Sequence, residues 1–199
     1  MEYAFDGTAP EVHPDAFVCR EATLVGDVEL GPRSSCWPGA VLRGDTGPVA
    51  VGADSHVEDN VVIHHSTVGD RVMVGHAAVL NGASIASNVL VGMNATVNRG
   101  ATVADRCVIA PNAVVPQERE IPPDSLVMGV PATVTPFAET DHDATSILES
   151  YSQIPTWISH ADIPICSNTS NGEGSLTVKQ AQRLALQGGE VVNRTQNRD

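Results

Sequence analysis

The chain of 199 residues has little positive charge, few aromatic residues and no long apolar segment. Lys179 is the single lysine, and acidic residues outnumber basic ones by 24 to 11, which gives a net charge of −13. Nucleic acids and anionic membrane surfaces bind clustered positive charge, so neither is an expected partner. No apolar run approaches the roughly 20 residues of a membrane-spanning helix. The N-terminal segment lacks the basic and apolar regions of a signal peptide, so a cytoplasmic location is expected.

The scarcity of lysine beside many acidic residues also suits a cytoplasm of high salt. Salt screens the repulsion between like charges, so an acid-rich surface is less costly there. We interpret the composition as a halophilic adaptation, with an ordinary acidic protein as the alternative.

The cysteines show no CxxC pairing at any of their positions, Cys19, Cys36, Cys107 and Cys166. This spacing argues against a zinc knuckle and against a disulfide framework. We predict that they are small core residues.

Aliphatic residues recur every six positions along most of the chain. The series runs over 12–42, resumes at Val51 after a predicted loop at Asp45–Ala50, and continues to Val127 with two one-residue slips. A repeat of six residues is too short to contain a strand and a helix. It fits a short strand and a corner, which form one flat side of a coil with a triangular cross-section. The sequence therefore predicts an all-β fold, a parallel β-helix of hexapeptide repeats over residues 1–135. An antiparallel sandwich, the alternative, requires strand alternation and hairpin turns that this rhythm does not show.

The rhythm ends near Phe137, and we predict that residues 136–199 form a C-terminal α-helical and partly irregular tail. One short helix is expected after a cap near Thr140 or Asp141. A second helix is expected from Ser175 to the glycines at 188–189.

Polar residues follow the inward aliphatic residue of successive turns. Three units per turn place Leu42, Ile63 and Leu80 on one face, about one strand spacing apart. The residues directly after them are predicted to form one outward column: Arg43, His64 and Asn81.

A second polar column is predicted on the adjacent face. Asp59 and His76 stack there, with Glu58 beside them. Two such columns converge when a second copy of the chain docks against the first, so we predict a closed homotrimer. Histidines that converge with carboxylates and an arginine are typical of a metal or acid–base site.

Several segments resemble the γ-class carbonic anhydrases, a branch of the hexapeptide-repeat proteins. They cover about residues 10–135 and are WPGAVLRGD (37–45), VEDNVVIH (57–64), VGHAAVLNG (74–82), VLVGMNATV (89–97) and MGVPA (128–132). The resemblance implies a left-handed β-helix that forms a homotrimer. It also implies a Zn²⁺ site, or an Fe²⁺ or Co²⁺ site, at each subunit interface, and the reversible hydration of CO₂ to bicarbonate.

The resemblance also implies roles for individual residues. In the family three histidines hold the metal, two from one subunit and one from its neighbour. The corresponding metal positions here are His64, His76 and Asn81. The corresponding catalytic positions are Arg43, Asp45, Glu58 and Asp59.

Two of these positions depart from the family pattern. Asn81 replaces the third histidine, and a neutral carboxamide oxygen is a poor zinc donor beside imidazole. Glu58 stands where the family has glutamine, so it is either neutral in effect or a replacement third ligand. A set of two histidines and one carboxylate suits non-haem iron as well as zinc.

Three functions remain open on the sequence. The first is a metal-dependent carbonic anhydrase weakened at one ligand. The second is a catalytically inactive trimer with a structural or small-anion-binding role. The third is a coenzyme A-dependent acyltransferase, for which the sequence shows no cluster of lysine or arginine to bind the phosphates.

Overall fold

The structure is a computed structural model and describes residues 1–152. In chain order its strands are β1 Glu2–Tyr3, β2 Glu11–Val12, β3 Phe17–Val18, β4 Thr23–Leu30, β5 Ser35–Cys36, β6 Val41–Val51, β7 His56–Val57, β8 Val62–His64, β9 Thr67–Val68, β10 Met73–Val74, β11 Val79–Asn81, β12 Ser84–Ile85, β13 Leu90–Val91, β14 Thr96–Val97, β15 Thr102–Val103, β16 Val108–Ile109, β17 Val114–Val115, β18 Glu120–Ile121, β19 Ser125–Met128 and β20 Thr133–Pro136. A 3₁₀ helix spans Phe137–Glu139, and the helix α1 spans Ala144–Ser152. The second predicted helix lies outside the described residues.

The strands form a left-handed parallel β-helix of about 7 turns, which confirms the predicted fold. Every third strand pairs with its equivalent one turn away, as in the series β8, β11, β14 and β17. Strands β7, β10, β13 and β16 form another face in the same way. The last pairing, β19 with β20, is antiparallel and closes this end of the coil.

The core contains the inward aliphatic residue of each hexapeptide, as the six-residue rhythm predicts. Leu42, Ile63 and Leu80 are fully buried and follow one another in register from turn to turn. Burial of each such side chain contributes about 1.5–3 kcal/mol. Within the described six-residue series, Val12 and Val18 at its N-terminal end are the members that are partly rather than fully buried.

The corners of the coil contain residues with positive φ, stacked from turn to turn. Along one corner the side chains pair between turns: Arg33 Nε with Asp54 Oδ1 at 2.6 Å, Arg71 Nε with Asn88 Oδ1 at 2.8 Å, and Arg106 Nε with Asp124 Oδ1 at 2.7 Å. These pairs are exposed, so each contributes little to stability. They keep successive turns in register at the surface.

The loop predicted at Asp45–Ala50 is wrong, because these residues continue strand β6. Gly26 pairs with Gly44, whereas Val28 already pairs with Val49, so β6 has extra residues at this point. These extra residues have no partner in the ladder with β4. A methyl group on Gly44 would overlap the carbonyl oxygen of Asp27, so only glycine permits this close approach.

The helix α1 begins later than the sequence suggests. Asp143 caps it: its carboxylate accepts a hydrogen bond from the Thr145 amide at 3.0 Å, and its carbonyl accepts one from Ile147 at 3.1 Å. Thr140 instead bonds back to the carbonyl of Phe137. Among the described residues, no helix is long and apolar enough to cross a membrane. The division of the chain at 135/136 stays a prediction.

Candidate metal centre

The first polar column is formed by residues in direct register. Arg43 on β6 pairs with His64 on β8, and His64 pairs with Asn81 on β11. Each follows a buried aliphatic residue, so all three side chains lie on the outer side of the same face. The six-residue rhythm therefore positions these residues as expected.

The imidazole of His64 lies within a polar group from the bulge in β6. Its Nε2 is 3.0 Å from Asp45 Oδ1 and 3.0 Å from Thr46 Oγ1. Arg43 Nη2 lies 3.3 Å from the same nitrogen and 3.4 Å from Nδ1. We call Arg43, Asp45, Thr46 and His64 the His64 group.

Thr46 was not predicted as a member of this group. Its position depends on the bulge between Gly44 and Val49, which moves Asp45 and Thr46 toward His64. Burial acts to raise the pKa of Asp45, but the hydrogen bond with His64 and the charge of Arg43 together hold that pKa below its usual value. The Asp45 carboxylate therefore stays ionised and can orient the imidazole.

The second polar column brings His76 against two carboxylates. The Ala77 amide bonds to the Asp59 carbonyl at 2.9 Å, which stacks this corner of one turn on the next. His76 Nδ1 is then 3.0 Å from Asp59 Oδ2 and 3.6 Å from Glu58 Oε2. We call Glu58, Asp59 and His76 the His76 group.

Glu58 is the most enclosed member of the His76 group, with a side chain that is 12% exposed. Burial raises the pKa of Glu58, the nearby His76 opposes the shift, and the like charge of Asp59 adds to it. A carboxylate enclosed beside a second carboxylate is stabilised when a cation binds there.

The donor atoms of the His76 group lie close enough together that small side-chain movements would allow them to hold one divalent cation. One donor atom from each residue lies within 4.8 Å of the other two. Ligands of one metal ion with bonds near 2.1 Å lie about 3–3.5 Å apart. The imidazole and carboxylates of this group thus fit a divalent metal, whereas the three-histidine set of the family is broken at Asn81.

The two groups lie on different faces of one subunit. His64 ends β8, while His76 follows β10 at a corner of the other sheet. Within residues 1–152, no hydrogen bond or ion pair joins the His64 group to the His76 group. One subunit therefore presents two separate polar groups.

Comparison with known proteins assigns the chain to a family. The family of bacterial transferase hexapeptides (six repeats) matches residues 82–117. Gamma carbonic anhydrase 1, mitochondrial, of Arabidopsis thaliana is 44% identical over 85 residues, or 37% of this chain and 31% of that protein. A probable carbonic anhydrase of Methanocaldococcus jannaschii is 44% identical over 138 residues, or 67% of this chain and 86% of the relative. This chain belongs to the γ-class carbonic anhydrase family.

The extent of these matches differs between relatives. The chain spans about a third of the length of the Arabidopsis protein but most of the archaeal one. A putative acetyltransferase from Bacillus cereus has the same fold, with a TM-score of 0.70 and 30% identity over 78% of this chain and 95% of that one. Membership of the family and the shared fold do not by themselves define the reaction, because one fold hosts several chemistries.

Proposed function

We propose that this protein is a metal-dependent, γ-class carbonic anhydrase-like enzyme that hydrates CO₂ reversibly to bicarbonate at the interfaces of a homotrimer. The observation that carries the proposal is the separation of the His64 and His76 groups on one subunit. Each group is incomplete alone, and a threefold arrangement would bring the His64 group of one subunit to the His76 group of the next.

A mainly apolar row of four valines and one threonine beside the His64 group supports docking of a second copy. Its members point outward and follow one another in register: Val41, Val62, Val79, Thr96 and Val114. Val62, two residues before His64, is 38% exposed. Contact between copies would remove this apolar surface from water.

The residues of both groups have roles in the proposed reaction. His76 and His64 would hold a Zn²⁺ or Fe²⁺ ion, which when bound supplies a water of lowered pKa as nucleophile near neutral pH. The Asp45 carboxylate orients His64 by its hydrogen bond. The Arg43 guanidinium would bind the anionic product. The carboxylates of Glu58 and Asp59, which lie against His76, would compensate the charge of the metal, and buffer would take up the proton that hydration releases.

Mixed trimers test this assignment. His64→Ala and His76→Ala should each abolish CO₂ hydration, because each removes one half of every interface. When the two variants are mixed one to one, each interface has about one chance in two of an intact His64 and one in two of an intact His76. About a quarter of the interfaces are then complete, so about a quarter of the wild-type activity should return. His142→Ala, at an exposed histidine beyond the coil, is the matched control and should keep full activity.

Two results would contradict the proposal. One is a monomer by light scattering, since the two groups would then never meet. The other is a verified mixed trimer that recovers no activity. A wild-type trimer that hydrates no CO₂, together with unchanged assembly in both single variants, would favour a catalytically inactive structural or small-anion-binding trimer.

Coenzyme A-dependent acyl transfer is the second candidate. It is favoured by the likeness to the Bacillus cereus structure, which is described as a putative acetyltransferase. A substrate that binds only the folded state raises the unfolding temperature. A rise on titration with coenzyme A, with no CO₂ hydration in the same preparation, would support acyl transfer over the first proposal.

A further inference from the structure

The His76 group has more negative charge than its own residues neutralise. Two carboxylates, Glu58 and Asp59, share one imidazole, and Glu58 is largely enclosed. Asp59 is 40% exposed, but the enclosed Glu58 carboxylate beside it is costly to ionise unless a cation compensates its charge. The distances of 3.0 and 3.6 Å from His76 Nδ1 to the two carboxylates are close to the separation of ligands around one ion, so these donors need little rearrangement to bind one.

In the His64 group the negative charge is already compensated, because the Asp45 carboxylate lies 3.3 Å from Arg43 Nε. The Arg43 guanidinium lies 3.3 and 3.4 Å from the two ring nitrogens of His64. A fixed positive charge at this distance disfavours a cation held mainly by His64. Asn81, the register partner of His64, contributes only a neutral amide.

We propose that the carboxylates of Glu58 and Asp59, together with His76, form the primary metal-binding set of this chain and replace the imidazole that Asn81 lacks. This inference rests on the proposed function and deepens it. His64 of the next subunit completes the donors from across the interface, while Asn81 is not a ligand. The set combines imidazole with carboxylate, so it accepts Fe²⁺ and Co²⁺ as well as Zn²⁺.

Metal binding by single variants tests the assignment directly. The trimer is stripped with a chelator, titrated with Zn²⁺, and its zinc content is measured per subunit by mass spectrometry. Glu58→Gln keeps the size of the side chain and removes its charge, so Zn²⁺ affinity should fall about a hundredfold. Asp59→Asn should weaken binding in the same direction. Asn81→Ala should leave the affinity unchanged.

The chain offers a matched control and a spectroscopic readout. Glu11→Gln, at an exposed glutamate of β2, should leave zinc binding unchanged. Co²⁺ in the wild-type protein should give an absorption spectrum that changes in Glu58→Gln and stays the same in Asn81→Ala. Circular dichroism and light scattering confirm that each variant remains a folded trimer before its metal content is compared.

The double variant Glu58→Gln/Asn81→His provides the reciprocal test. It exchanges the charged ligand for a third imidazole, so it should recover zinc binding that Glu58→Gln alone loses. Zinc affinity that survives Glu58→Gln but falls in Asn81→Ala would overturn the inference and leave the proposed function standing. Zinc bound through Glu58 in a trimer that hydrates no CO₂ would support the inference and refute the proposed function.

Discussion

Asn81 lies directly beside His64, as its register partner on the neighbouring strand. Outward side chains at paired positions of adjacent strands are about 4.8 Å apart. A histidine at position 81 would therefore place a second imidazole on the same outer face, next to that of His64.

We expect that Asn81→His increases metal binding. The added imidazole is a stronger donor for Zn²⁺ than the amide, so zinc affinity should rise about tenfold or more, and CO₂ hydration should rise with it. Equilibrium titration and stopped-flow measurement of CO₂ hydration check the two effects separately. Asn98→His, one turn farther along the same face, is the control and should not increase metal binding. An unchanged zinc affinity in Asn81→His would mean that position 81 does not face the metal.

Val62 should control assembly. Val62→Glu places a charge in the exposed apolar row beside His64, and a charge buried in an interface without a partner is strongly unfavourable. The variant should remain folded by circular dichroism but dissociate to monomers, and it should lose CO₂ hydration. Thr67→Glu, at an exposed position on strand β9, should stay assembled. Dissociated Val62→Glu subunits with full activity would exclude a site between subunits.

Gly44 should be intolerant of substitution. In Gly44→Ala the methyl group would overlap the Asp27 carbonyl oxygen, so the strands must separate where β6 bulges. We expect a loss of about 3 kcal/mol in the free energy of unfolding, measured by urea denaturation. In Gly7→Ala a methyl group meets nothing within 4 Å, and the φ of +82° alone should cost about 1–2 kcal/mol. Equal losses in the two variants would show that the close approach has little effect on stability.

His56 should make stability depend on pH. It is 2% exposed, its Nδ1 lies 2.7 Å from Ser35 Oγ, and burial lowers its pKa from 6.5 to about 4. As the pH is lowered, His56 therefore binds a proton at a higher pH in the unfolded chain than in the folded protein. Its contribution is fully present above pH 6.5 and is lost as the pH falls from 6.5 toward 4.

The size of this effect follows from linkage. The free energy of unfolding should fall by about 3 kcal/mol across that interval because of His56. His56→Gln should remove much of this slope in urea denaturation at a series of pH values. The exposed His13→Gln is the control and should leave the slope unchanged. An identical slope in His56→Gln and the wild type would show that another group is responsible.

The inward positions and their register could be predicted from the sequence alone. The six-residue rhythm is a local property: each aliphatic residue fills the same place in its own turn, as Leu42, Ile63 and Leu80 do. Because turns stack directly, the same count also gives the alignment of Arg43, His64 and Asn81. The recognition of the family rests on these motifs as well.

The contacts within each polar group were decided by the tertiary structure. Thr46 contacts His64 because β6 has extra residues where it bulges against β4. These residues do not fit the six-residue repeat, so the repeat could not predict the contact. Glu58 and His76 are separated by a full turn, and the corner geometry sets both their distance and the enclosure of the carboxylate. Local pattern thus determined which residues face inward or outward, whereas side-chain contacts depended on how closely distant segments of the backbone approach one another.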